Sequence, residues 1–208
     1  MYQPNASLLD LIFELQTLDR VPRIGYSLRG VAQPESVAEH SFHTIFLVWV
    51  LGQREAEIDL ARAMELALIH DLAEVRIGDL PRTANGYFPE GAKHTAERAA
   101  IEEILAPVGE RGPALYAEYQ AGETREARFV SACDKLQLFL KASVYEEWGT
   151  AQLDELSSRV DTFDDAGFES LRQLAAELCQ RREECQRREE RERRERSSVS
   201  PRRRLQRA

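Results

Sequence analysis

His70 and Asp71 are adjacent in the stretch "LALIHDLAEVRIGDLPR" (66–82), and two more carboxylates, Glu74 and Asp79, follow closely. Imidazoles and carboxylates bind divalent ions and carry protons in acid/base chemistry. On a helix, residues three and four apart share a face, so Glu74 falls one turn after both Asp71 and His70. His40, in "PESVAEHSFH" (34–43), stands beside the apolar face of another helix. Asp134, in "RFVSACDKLQLFL" (128–140), interrupts a core stripe of Phe129, Val130, Cys133, Leu136, Leu138 and Phe139. A carboxylate buried there without a partner is costly or becomes protonated, so a nearby cation is the economical explanation. An arginine or backbone donors satisfying Asp134, and a helix end reaching solvent at His70 and Asp71, are the competing structural explanations. Two imidazoles and two carboxylates suit a divalent ion of the Co, Mn, Zn, Fe or Ni type better than Ca or Mg. Such an ion lowers the pKa of bound water and polarises a phosphoryl oxygen.

The elements that must position these residues are helical. Apolar residues recur at helical spacing almost throughout and no segment alternates for long at period two, so the expectation is an all-α fold. A first stripe, with Leu8, Leu9, Ile12, Phe13 and Leu15, covers 6–18. Residues 19–36 carry Pro22, Gly25, Gly30 and Pro34 and read as a long irregular connection. A second helix starts near Ser36 and runs to about Leu51, with Val37, Phe42, Ile45, Phe46, Val48 and Trp49 expected on its buried side. Asp59 is the N-cap of a third, which ends by Gly78. Residues 78–92 form another loop. Helices over 93–105, 112–120, 124–147 and from about 165 past 178 complete the set.

At 208 residues the chain is the size of one domain. Its net charge is −8, but 12 of the 28 Lys+Arg and only 6 of the 36 Asp+Glu fall in 180–208. The expected division is a helical core, 1–179, and an Arg/Glu-rich tail, 180–208, which lacks an apolar stripe and frays or extends the last helix through Glu–Arg pairs. An acidic body argues against a nucleic-acid partner, because backbone affinity needs clustered Lys and Arg. No apolar run approaches the ~20 residues that span a bilayer, and no leader pattern opens the chain. Cys133, Cys179 and Cys185 have no CxxC spacing. Reduced thiols and a cytoplasmic location are the resulting expectations.

Taken in order, His40, then His70-Asp71, then Asp134 resembles the pattern of the HD-domain metal-dependent phosphohydrolases. The stretches "LDRVPR", "ESVAEHS", "HDLAEVRIGDLP" and "ETREARFVSACDKLQ" are most similar to the HD-domain 5′-deoxynucleotidases, over roughly residues 7–180. The resemblance implies His40, His70, Asp71 and Asp134 as metal ligands. It also implies a homodimer and a small nucleotide substrate, a nucleoside 5′-monophosphate cleaved to nucleoside and phosphate. Glu74 is implied as the acid/base group. Asp79 is implied either as proton donor to the departing oxygen or, with Glu74, as a holder of a second cation such as Mg. Arg20, in "LDRVPR", aligns with the family arginine that reaches the phosphate; some bacterial members carry Trp directly after it, where this chain has Val21.

Two other functions compete. The same scaffold can cleave phosphodiesters or nucleotide pyrophosphates, and a metal-stabilised helical module could act without catalysis. Among secondary candidates, His43 is expected to face a neighbouring helix, Arg76, Arg82, Lys93 and His94 to be solvated, and Tyr87 and Phe88 to pack onto the domain.

Overall fold

The computed structural model describes residues 7–151 and 153–198. Ten α-helices occur among them: α1 (Leu8–Leu15), α2 (Ile24–Ser27), α3 (Val37–Gly52), α4 (Leu60–Ile69), α5 (Glu74–Ile77), α6 (Ala92–Ile104), α7 (Arg111–Ala121), α8 (Arg125–Glu147), α9 (Asp154–Ser157) and α10 (Glu169–Ser198). Short 3₁₀ turns link several of them, and the described residues contain no strand beyond one isolated bridge, Pro22 to Ser36.

Local chemistry sets the helix starts that matter for the site. Ser36 and Glu39 form a reciprocal capping box at the head of α3, Asp59 Oδ1 accepts from Arg62 N at the head of α4, and Thr124 Oγ1 accepts from Ala127 N at the head of α8. Those three helices pack on one another to make the centre of the molecule. Val48, Leu51, Leu66, Ala67, Phe129, Val130, Cys133 and Leu136 are buried between them. Phe129 meets Phe168, ahead of α10, edge to face at 4.8 Å.

The connection 19–36 is irregular, as its prolines and glycines imply, but its ends are fastened. Arg23 N donates to Glu35 O at 2.9 Å and Val37 N donates to Val21 O at 2.8 Å. This clamp fixes Arg23 and Glu35 relative to the head of α3.

Four expectations change. The third helix does not run unbroken to Gly78: it stops at Ile69, and residues 70–73 turn through i→i+3 bonds, including Glu74 N to Asp71 O at 3.0 Å, before α5. Most of the first stripe faces outward, because α1 buries only Leu11 while Leu8, Leu9, Ile12 and Phe13 are exposed. On α3 the buried residues are Val37, His40, Thr44, Val48, Leu51 and Gly52, and Phe42, Phe46 and Trp49 lie on the opposite side. Arg76 is inside rather than solvated, joined to Glu14 of α1 at 2.7 Å and Glu103 of α6 at 2.5 Å.

The last helix passes through 179 and 180 without a break and continues to Ser198, with Arg187–Glu183 and Arg191–Glu195 pairs along it. This is the extension that Glu–Arg pairing favours. Residues 199–208 of the expected tail lie outside the described residues. Ser36→Ala removes the side-chain cap that starts the helix carrying His40 and should lower stability by about 1 kcal/mol, read as a drop in denaturation midpoint.

Candidate metal centre and active site

His40 projects from the first turns of α3 and is fully buried. Its Nδ1 lies 2.6 Å from Gln137 Oε1, and Gln137 Nε2 donates to both oxygens of Glu35 at 3.1 and 3.3 Å. The Glu35 carboxylate orients the amide so that its oxygen faces the imidazole. His40 therefore carries its hydrogen on Nδ1 and turns the lone pair of Nε2 into the cleft. Glu35 is itself buried and is met by Lys141 Nζ and His43 Nδ1, each at 3.5 Å, while its backbone N donates to Tyr145 Oη at 2.7 Å. His43 thus lies against Glu35 rather than in the cleft.

His70 closes α4. Its Nδ1–H donates to Ala67 O at 2.7 Å, which directs Nε2 at the same point. The two Nε2 atoms are 3.4 Å apart, and Asp71 Oδ2 is 3.4 Å from the first and 3.3 Å from the second. Asp134 Oδ1, from α8, is 2.9 Å from His40 Nε2. Ligand atoms about 2.1 Å from a common ion stand about 3.0–3.4 Å apart at octahedral or tetrahedral angles. The spacing of the His40, His70 and Asp71 donors therefore fits one divalent ion and makes them a candidate metal cluster, and Asp134 Oδ1 stands beside it against His40 Nε2. The side chains of Asp71 and Asp134 stay 17% and 27% exposed, so the cleft opens on its carboxylate side.

Charge crowding shapes the protonation of the metal-free site. Burial disfavours ionised Asp71, but the charge of His70, its hydrogen bond and Arg23 outweigh that and hold the carboxyl well below its usual range. Burial likewise opposes a charged His70, and Asp71 overcomes it, raising the imidazole to about 9. Asp134 is lowered, burial being outweighed by the hydrogen bond and charge of His40. Glu74 goes the other way: burial and the charges of Asp71 and Asp79 push it up to about 9. Its Oε2 is buried without a hydrogen-bond partner among the described residues. A protonated, incompletely satisfied carboxyl thus stands beside the ion's donors.

Asp79 follows Gly78, whose φ of +72° is a backbone conformation that favours glycine. The turn brings Asp79 back onto the 19–36 clamp, where Oδ2 accepts from Ile24 N at 2.7 Å and Oδ1 lies 3.7 Å from Arg23 NH1. That same nitrogen is 3.2 Å from Asp71 Oδ2, the oxygen that faces the imidazoles. Arg23 is therefore the arginine in the cleft. Arg20 ends a 3₁₀ turn, is exposed and makes none of these contacts.

Arg23 and the Glu35–Gln137 pair are absent from the sequence-derived set. Gln137 follows Asp134 by three on a helix, a readable signal, whereas nothing in "LDRVPR" separates Arg23 from Arg20. Tyr119 also lines the site, its ring edge-on to His70 with centroids 5.8 Å apart. Tyr87 and Phe88 do not pack down as expected; Tyr87 is 91% exposed.

An all-helical frame that gathers two histidines and an aspartate within reach of one another, with a second aspartate against His40, defines a candidate metal-binding class of site. More particularly, the chain belongs to the HD-domain family, whose model matches residues 15–172. It is 35% identical to the mouse 5′-deoxynucleotidase HDDC2, over 68% of this chain and 71% of that protein. It is 29% identical to the Schizosaccharomyces pombe 5′-deoxynucleotidase hdd1, over 68% and 74%. A conserved hypothetical protein from Pyrococcus furiosus superposes with a TM-score of 0.71 at 34% identity, over 83% of this chain and 99% of that one.

Ligation requires a neutral His70, whereas the metal-free imidazole holds its proton below about pH 9. Binding of Co²⁺ or Mn²⁺ at pH 7 should therefore expel about one proton per site, and affinity should rise with pH up to about 9. Calorimetric titration in buffers of different ionisation enthalpy checks this; pH-independent binding with no proton released would contradict it.

Proposed function

We propose that this chain is a metal-dependent 5′-deoxynucleotidase that hydrolyses (deoxy)nucleoside 5′-monophosphates to nucleoside and phosphate. The observation that carries the reading is the two-histidine, two-aspartate donor set with Arg23 at its open edge; relatives named 5′-deoxynucleotidases support the substrate class. His40, His70, Asp71 and Asp134 would hold an ion of the Co, Mn, Zn, Fe or Ni type. When bound, that ion supplies activation of water and polarisation of a phosphoryl oxygen.

The chain's own residues do the rest. Water oxygen bonds to phosphorus as the bond to O5′ breaks; one proton leaves the water and O5′ takes one up. Glu74, a buried carboxyl able to hold a proton near neutral pH, manages that transfer at its Oε atoms. In its protonated form it also spares the phosphate dianion a repulsive neighbour. Arg23 donates to the phosphoryl oxygens, a planar guanidinium suited to bidentate contact. Asp79, engaged by Arg23 and Ile24 N, serves to hold that guanidinium in place rather than to bind a second ion. Arg20 remains a candidate for an outer phosphate contact. No described helix is long and apolar enough to cross a membrane. The free thiols Cys133, Cys179 and Cys185 support a cytoplasmic setting.

Phosphate release from dAMP, dCMP, dGMP, dTMP and AMP with Co²⁺ or Mn²⁺ tests the activity; no metal-stimulated release from any of them would sink it. Asp71→Asn should cut turnover by about two orders of magnitude or more with the helical content intact. Arg23→Gln should keep its metal yet raise KM about tenfold to a hundredfold, the value of a charge-assisted hydrogen bond.

A further inference from the structure

Asp134, Gln137 and Lys141 follow one another at spacings of three and four along α8, so they share one face of that helix. Lys141 lies about 10 Å beyond Asp134 along the axis, at 1.5 Å per residue, and touches none of the proposed ligands. Its ammonium is 3.5 Å from Glu35 Oε2 and sits over the rings of Tyr145 and Trp148, 5.2 and 5.9 Å from their centroids. The two rings hold the cation against the carboxylate without bringing a competing anion. The Glu35 side chain is fully enclosed, whereas that of Lys141 is 17% exposed. Among the described residues, Lys141 is the one lysine or arginine that pairs with Glu35, and the other close nitrogens are imidazoles of His40 and His43.

Gln137 carries the consequence to the cleft. An amide has a donor at one end and an acceptor at the other, so it can face a histidine either way. A carboxylate only accepts; Glu35 therefore takes the NH₂ end, at 3.1 and 3.3 Å, and leaves the oxygen 2.6 Å from His40 Nδ1. Turned over, the amide donates to Nδ1 and forces the imidazole hydrogen onto Nε2, the atom that faces the donor cluster. We infer that Lys141 is a positioning residue for the metal centre: its ring-held ammonium compensates the buried Glu35 carboxylate, and through Gln137 that carboxylate keeps the Nε2 lone pair of His40 free for the ion. The control point thus lies outside the cleft, and the inference rests on His40 being a ligand, as proposed.

Calorimetric titration of the full chain with Co²⁺ tests it, beside NMR of Zn²⁺-loaded protein labelled with ¹⁵N at histidine, which reads the His40 Nδ1–H directly. Lys141→Met should weaken Co²⁺ binding about tenfold and Glu35→Gln about tenfold to a hundredfold, the range for groups that orient a metal-bound histidine. Because Lys141 acts through Glu35, adding Lys141→Met to Glu35→Gln should weaken binding no further than Glu35→Gln does alone. The Nδ1–H signal of His40 should broaden or vanish in Lys141→Met while helical circular dichroism stays unchanged. An ion pair that serves stability alone would lower the denaturation midpoint and leave affinity and that signal as in wild type, and this result overturns the inference. So does a double variant whose loss is the product of the two single losses. His40→Ala separates the relay from the ligand reading beneath it. If His40→Ala binds Co²⁺ as wild type does, both fall; if it loses binding while Lys141→Met keeps wild-type affinity, the relay alone is refuted. Should Lys141→Met not fold, Lys141→Gln takes its place in each comparison.

Discussion

Carboxylate crowding is the constraint on which the site depends. Asp71, Glu74, Asp79 and Asp134 converge from the turn after α4, from α5, from the loop after Gly78 and from α8, and buried like charges so crowded cannot all ionise uncompensated. The chain answers in three ways. His70 takes a proton and pairs with Asp71, Glu74 keeps its own proton, and Arg23 bridges Asp71 and Asp79. A divalent ion held by His40, His70, Asp71 and Asp134, as proposed, would replace the first of these, taking the place of the proton on His70. The cleft is thus arranged for positive charge, and with the ion in place an anionic phosphoryl group approaching its open edge would meet a cation and the Arg23 guanidinium.

The fold is organised to hold that arrangement still. The backbone clamp between residues 21–23 and 35–37 ties Arg23 and Glu35 to each other at the head of α3. Glu35 reaches His40 through Gln137, so a buried carboxylate sets which imidazole nitrogen faces the ion. Tyr26, on the same connection, packs edge-on against Tyr145 of α8 at 5.2 Å and donates to Leu138 O at 2.8 Å. The long irregular segment is therefore part of the site's frame.

Much of this was legible in the sequence. Helix starts at Ser36, Asp59 and Thr124 follow from side chains that accept the first free N–H groups, and the four proposed ligands stand out as polar residues set among core positions. Asp134 is the plainest case, since only a partnered carboxylate belongs in that stripe. What sequence did not yield depended on tertiary placement. Arg23 and Arg20 flank the same proline turn, and only the clamp onto Glu35 decides which enters the cleft. Arg76 reads as a surface charge until α1 and α6 bring Glu14 and Glu103 to it. Phe42, Phe46 and Trp49 look like core residues because periodicity marks an apolar face without saying whether the fold packs anything against it.

The central claim is that His40, His70, Asp71 and Asp134 hold a single ion. Anomalous diffraction from crystals of Co²⁺-loaded protein, collected on both sides of the cobalt edge, tests it most directly. The account predicts one peak per chain, within bonding distance of both Nε2 atoms and of the Asp71 and Asp134 carboxylates. A peak held instead by Glu74 and Asp79, or a second of equal height there, would contradict it.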